Sequence, residues 1–394
     1  MLSALALPDA VRELAQRLSR DDDALPAYVY DLDGLAAHTA GIRAALPDQV
    51  ELCYAVKANP DPAVLRAVAR HADGLEVSSA GELRHAGAAV PGARLSFGGP
   101  GKTAAELAAA IAAGTFRFHV ESLHELRLLG SAALAAGRAA EILLRVNLPA
   151  TDAALAPAVP GGGALAGPPP DAGPPPDAGS VPGSGSGPVD VAPDGGDGLV
   201  MGGQPTPFGM DLDVLDRCGE WLSAGSAESR RLRLRGVHAH LASGLAAPAL
   251  LGSALRVLEF ARGWCAARGV RDPEFNLGGG MAVDYRRPDA RFDWASFGRG
   301  LAAAARPGET LRVEPGRAVT AYCGWYITRV LDVKRSQGRT FAVVAGGTHH
   351  LRTPVAKGHD QPFAVVPVAG WHRDWPRPAA AGEPVTIVGQ LCTP

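Results

Sequence analysis

From about residue 27 onwards, short β-rich runs alternate with Ala- and Leu-rich stretches whose apolar positions recur at helical spacing. AYVYDL precedes a helix running through Ile42, VELCYAVKA precedes PAVLRAVARHA, and GLEVSS precedes AGELRHAG. ARLSFGG is followed by AAELAAAIAAG, FRFHVES by LHELRLLG, and EILLRVNLP closes the first half. Serial strand-helix units predict a parallel sheet, and this many in succession predict an α/β barrel of the (β/α)8 kind. The rhythm stops over residues 151–200, where Gly, Pro, Ala and Asp dominate and GPPPDA occurs twice in tandem. Such a stretch has too little apolar surface to offset the entropy of ordering, so a disordered, partly polyproline-like insertion in a strand-helix loop is expected.

Order is expected to resume near Met201, where LRGVHAHLA, a long helix from about Pro248 to Arg268, EFNLGGG and LRVEPGR restore the barrel pattern. After Ala318 the texture changes to YCGWYITRVLDVKR, TFAVVAGG, PFAVVPVAG and PVTIVGQLC, β-rich runs without long helices between them. The expected organisation is an N-terminal segment (1–29) packing with a β domain, a barrel (30–318) that carries the 151–200 insertion, and the β domain itself (319–394). Asp9 and Glu13 interrupt the apolar positions of MLSALALPDAVRELAQRL, which predicts an amphipathic helix in place of a signal peptide. No apolar run reaches membrane length, so a soluble, unexported, cytoplasmic chain is expected.

Charge narrows the partners. The 394 residues carry 38 basic and 40 acidic groups and no run of one sign, which leaves no footprint for nucleic acid or an anionic membrane. A small-molecule partner fits better. The five cysteines, Cys53, Cys218, Cys265, Cys323 and Cys392, are scattered and lack CxxC spacing, so they read as reduced thiols with neither a disulfide framework nor a zinc cluster.

Four places carry candidate chemistry. Lys57 lies in CYAVKANP at the end of a strand, where a parallel barrel collects its reactive groups. An amine partly withdrawn from water there can attack an aldehyde and form a Schiff base, although a solitary lysine is more often a snorkelling surface residue. Gly278, Gly279 and Gly280 follow EFNL, and a glycine turn at a strand end lets backbone N–H groups close on a phosphate. Glu314-Pro315-Gly316-Arg317 ends the next strand. Glu314 is suited to holding a pyridine nitrogen protonated, and Arg317 to meeting a phosphate or carboxylate; an ordinary turn with a structural ion pair is the alternative. His238, His240 and Ser243 lie in GVHAHLASG. His-x-His on a strand would put both rings on one face, but no clustered Cys, Asp or Glu nearby completes a metal site, so none is expected. Stacking of His240 on a flat ring with Ser243 near a phosphate is the sharper reading. His349 and His350 in AGGTHHLRTP read as metal-like, as surface residues, or as part of a substrate-facing loop.

In this order the motifs resemble the fold-type III pyridoxal-phosphate decarboxylases, the ornithine and diaminopimelate decarboxylase family with the alanine-racemase-like barrel. The resemblance spans nearly the whole chain outside 151–200. It implies pyridoxal 5'-phosphate as cofactor and Lys57 of YAVKANP as the Schiff-base residue. It implies further cofactor contacts from Glu76 of LEVSSAGEL, Arg145 of LLRVN, His240 and Ser243, the three glycines, Glu314 and Arg317. GQLCTP is similar to the family's Gly-x-Leu-Cys motif, whose cysteine reaches into the partner subunit's site and acts as an acid after carbon dioxide leaves. That implies the same role for Cys392 in a homodimer with shared sites. Ala242 departs from the usual glycine before Ser243, and Pro207 of TPFGM stands where many members carry lysine. Family members normally continue past this cysteine through further β structure bearing an acidic substrate contact and a phosphate-binding tyrosine, so the resemblance implies a truncated β domain.

The implied activity is decarboxylation of an amino acid or amino-acid conjugate. In racemases of this fold the pyridine nitrogen usually faces arginine, so Glu314 favours decarboxylation. The run AGGTHHLRTPVAKGHDQPF looks most like a subgroup that works on larger conjugates in siderophore or antibiotic pathways, such as the citryl-diaminopropionate decarboxylases. Diaminopimelate or a basic amino acid is the other substrate class. A non-catalytic relative that keeps the barrel for binding or regulation is the alternative function.

Overall fold

The computed structural model describes residues 7–21, 23–149, 199, 200, 202–358, 360–368, 380 and 382–392. The insertion expected over 151–200 lies outside the described residues apart from Leu199–Val200, as does Met201. Eight strands close into a barrel: Val50–Ala55 (β1), Gly74–Val77 (β2), Leu95–Phe97 (β3), Arg117–Val120 (β4), Ala140–Arg145 (β5), Leu232–His238 (β6), Glu274–Asn276 (β7) and Thr310–Val313 (β8). Every neighbouring pair is parallel, and β8 pairs with β1 to shut the ring. Helices begin soon after the strands because polar caps wait there. Ser79 accepts from Glu82 N, Ser122 accepts from Glu125 N, and Thr103 forms a reciprocal capping box with Glu106.

The strands alternate in a way that divides the barrel into an apolar outside and a polar inside. Leu52, Tyr54, Leu75, Phe118, Phe275 and Leu311 belong to the buried core that also takes in Leu65, Leu107, Leu126 and Leu258 of the surrounding helices. The residues between them meet across the barrel, since strands that are not neighbours touch only through its interior. Arg117 of β4 donates from Nε to Glu274 of β7 at 2.7 Å across the barrel, and Arg312 of β8 joins this layer by donating to Glu51 and Glu274 of the strands on either side of it, β1 and β7. This ion layer lies toward the N-terminal strand ends, and two residues further along each strand come His119, Asn276 and Glu314. The interior is therefore stacked in layers, charged below and functional above.

Outside the barrel, Ala27–Tyr30 pairs antiparallel with Gly324–Ile327. Val330–Ser336 and Arg339–Val344 form a hairpin, and Val385–Gly389 adds parallel to it. The strand expected in PFAVVPVAG is absent over 362–368, where no ladder forms; Pro362 and Pro367 cannot donate to one, and Phe363 and Val365 stay exposed. The N-terminal helix forms over Asp9–Leu18 with Val11 and Ala15 buried.

Candidate active site

The side chains with candidate chemistry gather at the C-terminal mouth of the barrel. β1 ends at Ala55 and passes into a single 3-10 turn, Val56–Ala58, that carries Lys57. Ala55 N donates to Pro315 O at 3.0 Å, which ties this turn to the loop after Glu314. Gly316 in that loop packs against Ala58, with room for little more than a hydrogen. Lys57 Nζ lies 3.6 Å from Glu76 Oε2 at the end of β2. Its side chain is 57% exposed, so the withdrawal from water expected of Lys57 is not met within one chain, because the turn stands at the mouth and not inside the wall.

Glu314 is the buried centre of the cluster. Its Oε1 accepts from Asn276 Nδ2 at 2.7 Å, its Oε2 is 3.6 Å from His238 Nε2, and His119 Nε2 is 3.8 Å from Oε1. Burial, and secondarily the charge of Glu76, push the Glu314 carboxyl up to about 7. Both histidines are held well below the ordinary imidazole range, first by burial and then by the surrounding positive groups, so they are neutral near pH 7. Glu314 thus has strong hydrogen bonding on one oxygen and, among the described residues, no lysine or arginine in contact with it.

The glycine loop follows Asn276 directly. Asn276 Oδ1 accepts from Gly278 N at 2.9 Å, and His240 Nδ1 accepts from Gly279 N at 3.1 Å. Gly278 and Gly280 have φ of 68° and 102°, the left-handed region that favours glycine. A Cβ on Gly279 would collide with the Glu314 carbonyl, and one on Gly280 with the carbonyl of Ala242. Gly280 O accepts from Gly244 N and Leu245 N at 2.9 Å, which clamps the loop to the run after His240. Ser243, in the short strand Ala242–Ser243, is half-buried beside Gly280.

The sequence expected His238 and His240 to share one face of a strand. β6 instead ends at His238, so its two-residue period does not reach His240. His238 turns to Glu314, while His240 lies half-buried against the glycine loop, brought down to about 3 by burial and the charges of Arg145 and Lys57. Arg145 pairs at 2.8 Å with Glu121, which also accepts from Gly99 N and Gly209 N. Beside this pair opens a cleft of about 420 Å³ lined by Glu121, Ser122, Asn147, Thr206, Asp211 and their neighbours.

Arg317 is exposed at the start of the short helix Arg317–Thr320, directly after the Gly316 that packs on Ala58, and Cys392 is exposed beyond Val385–Gly389; among the described residues no hydrogen bond joins Cys392 to the cluster. Asn276, His119 and Glu121 were missed by reading motifs. The available signal was a polar residue at the inward position of an otherwise apolar buried strand, as in FRFHVES and EFNLGGG.

A family profile described as "Pyridoxal-dependent decarboxylase, pyridoxal binding domain" matches residues 32–161 and 192–321. The chain is 31% identical over 389 residues to the 2-[(L-alanin-3-ylcarbamoyl)methyl]-2-hydroxybutanedioate decarboxylase of Staphylococcus aureus, covering 98% of this chain and 86% of that one. It is 27% identical over 384 residues to the L-glutamyl-[BtrI acyl-carrier protein] decarboxylase of Niallia circulans, covering 94% and 77%. Among solved structures, the diaminopimelate decarboxylase of Helicobacter pylori in complex with L-lysine superposes with a TM-score of 0.71 at 22% identity, covering 96% of this chain and 82% of that one.

Proposed function

The chain belongs to the pyridoxal-dependent decarboxylases, takes pyridoxal phosphate as its cofactor and releases carbon dioxide from an amino acid or amino-acid conjugate; from that premise we propose the roles of its residues and the class of its substrate.

The mouth of the barrel suits this cofactor. Glu314 is a buried acid short of a cation, which a protonated ring nitrogen would supply. That single observation carries the reading. Beside it, a loop without Cβ atoms at Gly278, Gly279 and Gly280 gives the backbone close access to a phosphate, with Ser243 adjoining. His240 is the flat group placed to lie against the ring, and its Nδ1 is already committed to Gly279 N. Lys57, next to Glu76, is the amine that holds the cofactor's carbonyl end. Arg145, fixed by Glu121, and Arg317 supply positive charge for the phosphate or the substrate carboxylate.

When bound, pyridoxal phosphate supplies the electron sink for breaking the bond to the carboxylate. Glu314 would keep a proton on the ring nitrogen, and Asn276, donating to its Oε1 at 2.7 Å, fixes that carboxylate. The buried walls formed by His119, His238 and Asn276 exclude water from that proton. Cys392 of a partner copy would supply the proton that the product carbon takes up, which would make the working unit a homodimer with shared sites.

The substrate is a conjugate larger than a free amino acid. Supporting this are the similarity to the S. aureus enzyme along 98% of the chain and the cleft beside Arg145, which offers polar and acidic walls to the distal part of such a molecule. A carbon-dioxide release screen over diaminopimelate, ornithine, lysine, arginine and citryl-diaminopropionate tests it. The conjugate is expected to react fastest; release from diaminopimelate alone would remove the conjugate reading.

A further inference from the structure

Neither ring nitrogen of His238 has a hydrogen-bond partner among the described residues, and neither does His119 Nδ1, although both rings are buried. Buried polar atoms seldom stay unmatched without a reason. The two rings face each other with centroids 4.4 Å apart, and each directs Nε2 toward Glu314, at 3.8 Å from His119 and 3.6 Å from His238. We propose that, in the cofactor-free chain, His119, His238 and Glu314 bind one divalent transition-metal ion of the zinc class, and that this ion and the cofactor exclude one another.

The geometry is close to what such an ion needs. One donor atom from each residue lies within 4.8 Å of the others. Nitrogen and oxygen ligands roughly 2.0–2.1 Å from a tetrahedral zinc stand about 3.4 Å apart, so the donor atoms need to close by a few tenths of an ångström up to about 1.4 Å, shared between the side chains. Two imidazoles and one carboxylate favour zinc, cobalt, nickel or copper over magnesium or calcium, which prefer all-oxygen shells.

Asn276 supplies the outer support. Its Nδ2 donates to Glu314 Oε1 at 2.7 Å and approaches His119 Nε2 at 3.2 Å. On metal binding it keeps the first bond, orienting the carboxylate, and yields the second to the ion. Glu314 is the shared element: a metal ion and a protonated ring nitrogen both satisfy the same buried carboxylate, and two cations at one such group repel. The exclusion rests on the role proposed for Glu314; the metal site itself rests on the three side chains alone.

The test is a titration of the full-length, cofactor-free protein with cobalt(II) and then zinc(II). One equivalent should bind, with visible cobalt bands of nitrogen and oxygen ligation and no thiolate charge-transfer band. His119→Asn and His238→Asn should each weaken binding about tenfold or more, with the fold checked by circular dichroism. Changing both His349 and His350 to alanine should leave metal affinity unchanged. One equivalent of zinc should lower the apparent affinity for pyridoxal phosphate about tenfold or more in the unaltered chain and not in His238→Asn, read from cofactor absorbance. Absence of saturable binding, binding that persists in both histidine variants, or metal binding without effect on cofactor affinity would overturn the proposal. Carbon-dioxide release by metal-free holoenzyme is measured separately, so the two readings fail independently.

Discussion

Glu314 ionises at a cost in the cofactor-free chain, and the sign of that cost sets its pH dependence. Its folded value of about 7 stands above the ordinary 4.5, so the folded chain binds the proton more tightly than the unfolded chain does. The associated stability is fully present below about pH 4.5 and is lost as pH rises through about 7. Glu314→Gln removes the penalty. The cofactor-free variant should be more stable than the unaltered chain at pH 8, by an amount on the order of 3 kcal/mol, with the difference vanishing below about pH 4.5. Thermal melts across that range check it, and a variant less stable at pH 8 would contradict it. In the presence of cofactor the order should reverse, because the ring nitrogen then satisfies the carboxylate. At this scale Lys57, His240 and Glu314 were legible because each sits in a distinctive local run. His119 and Asn276 were not, since their partners come from strands 157 residues apart and only closure of the barrel brings them together.

At the scale of elements, the loop from Gly278 to Gly280 does its work by being thin. Gly279 presses on the backbone of Glu314 and Gly280 on that of Ala242, so any side chain would separate β7 from β8 or from the run after β6. Gly279→Ala should therefore lower cofactor affinity about tenfold or more while leaving the far-UV spectrum unchanged, as equilibrium dialysis would show. An affinity equal to that of the unaltered chain would mean the loop does not approach the phosphate. The strand-helix rhythm was readable because each barrel strand keeps an apolar outward row, and several of the helices start at a Ser, Thr or Asp cap. The inward row was harder to read. FRFHVES and LRVEPG place arginine, histidine and glutamate where a buried strand is expected to be apolar, and those residues compensate one another only in the closed barrel. The run at 362–368 misled for the opposite reason, having strand composition but no pairing strand among the described residues.

For the whole molecule, the layered interior and the exposed position of Cys392 have different consequences. The Arg117–Glu274–Arg312 layer closes the barrel beneath the site and holds β4, β7 and β8 in register. The Cys392 thiol is exposed, and among the described residues no hydrogen bond joins it to the cluster around Lys57; the role proposed for it is played in the site of a second copy. Lys57→Ala and Cys392→Ala should each be inactive alone. Mixed and allowed to exchange subunits, they should recover roughly a quarter of the unaltered activity, because half of the random dimers carry one intact site of two. An active Cys392→Ala would place Cys392 outside the site, and inactivity of both variants with no recovery on mixing would contradict a site shared between copies. The most direct test of the central claim, that Lys57 carries the cofactor at this barrel mouth, is borohydride reduction of the holoenzyme followed by peptide mapping. The adduct should fall on the peptide containing Lys57 and disappear in Lys57→Ala. An adduct on Lys102, Lys334 or Lys357 instead, or none at all, would contradict it.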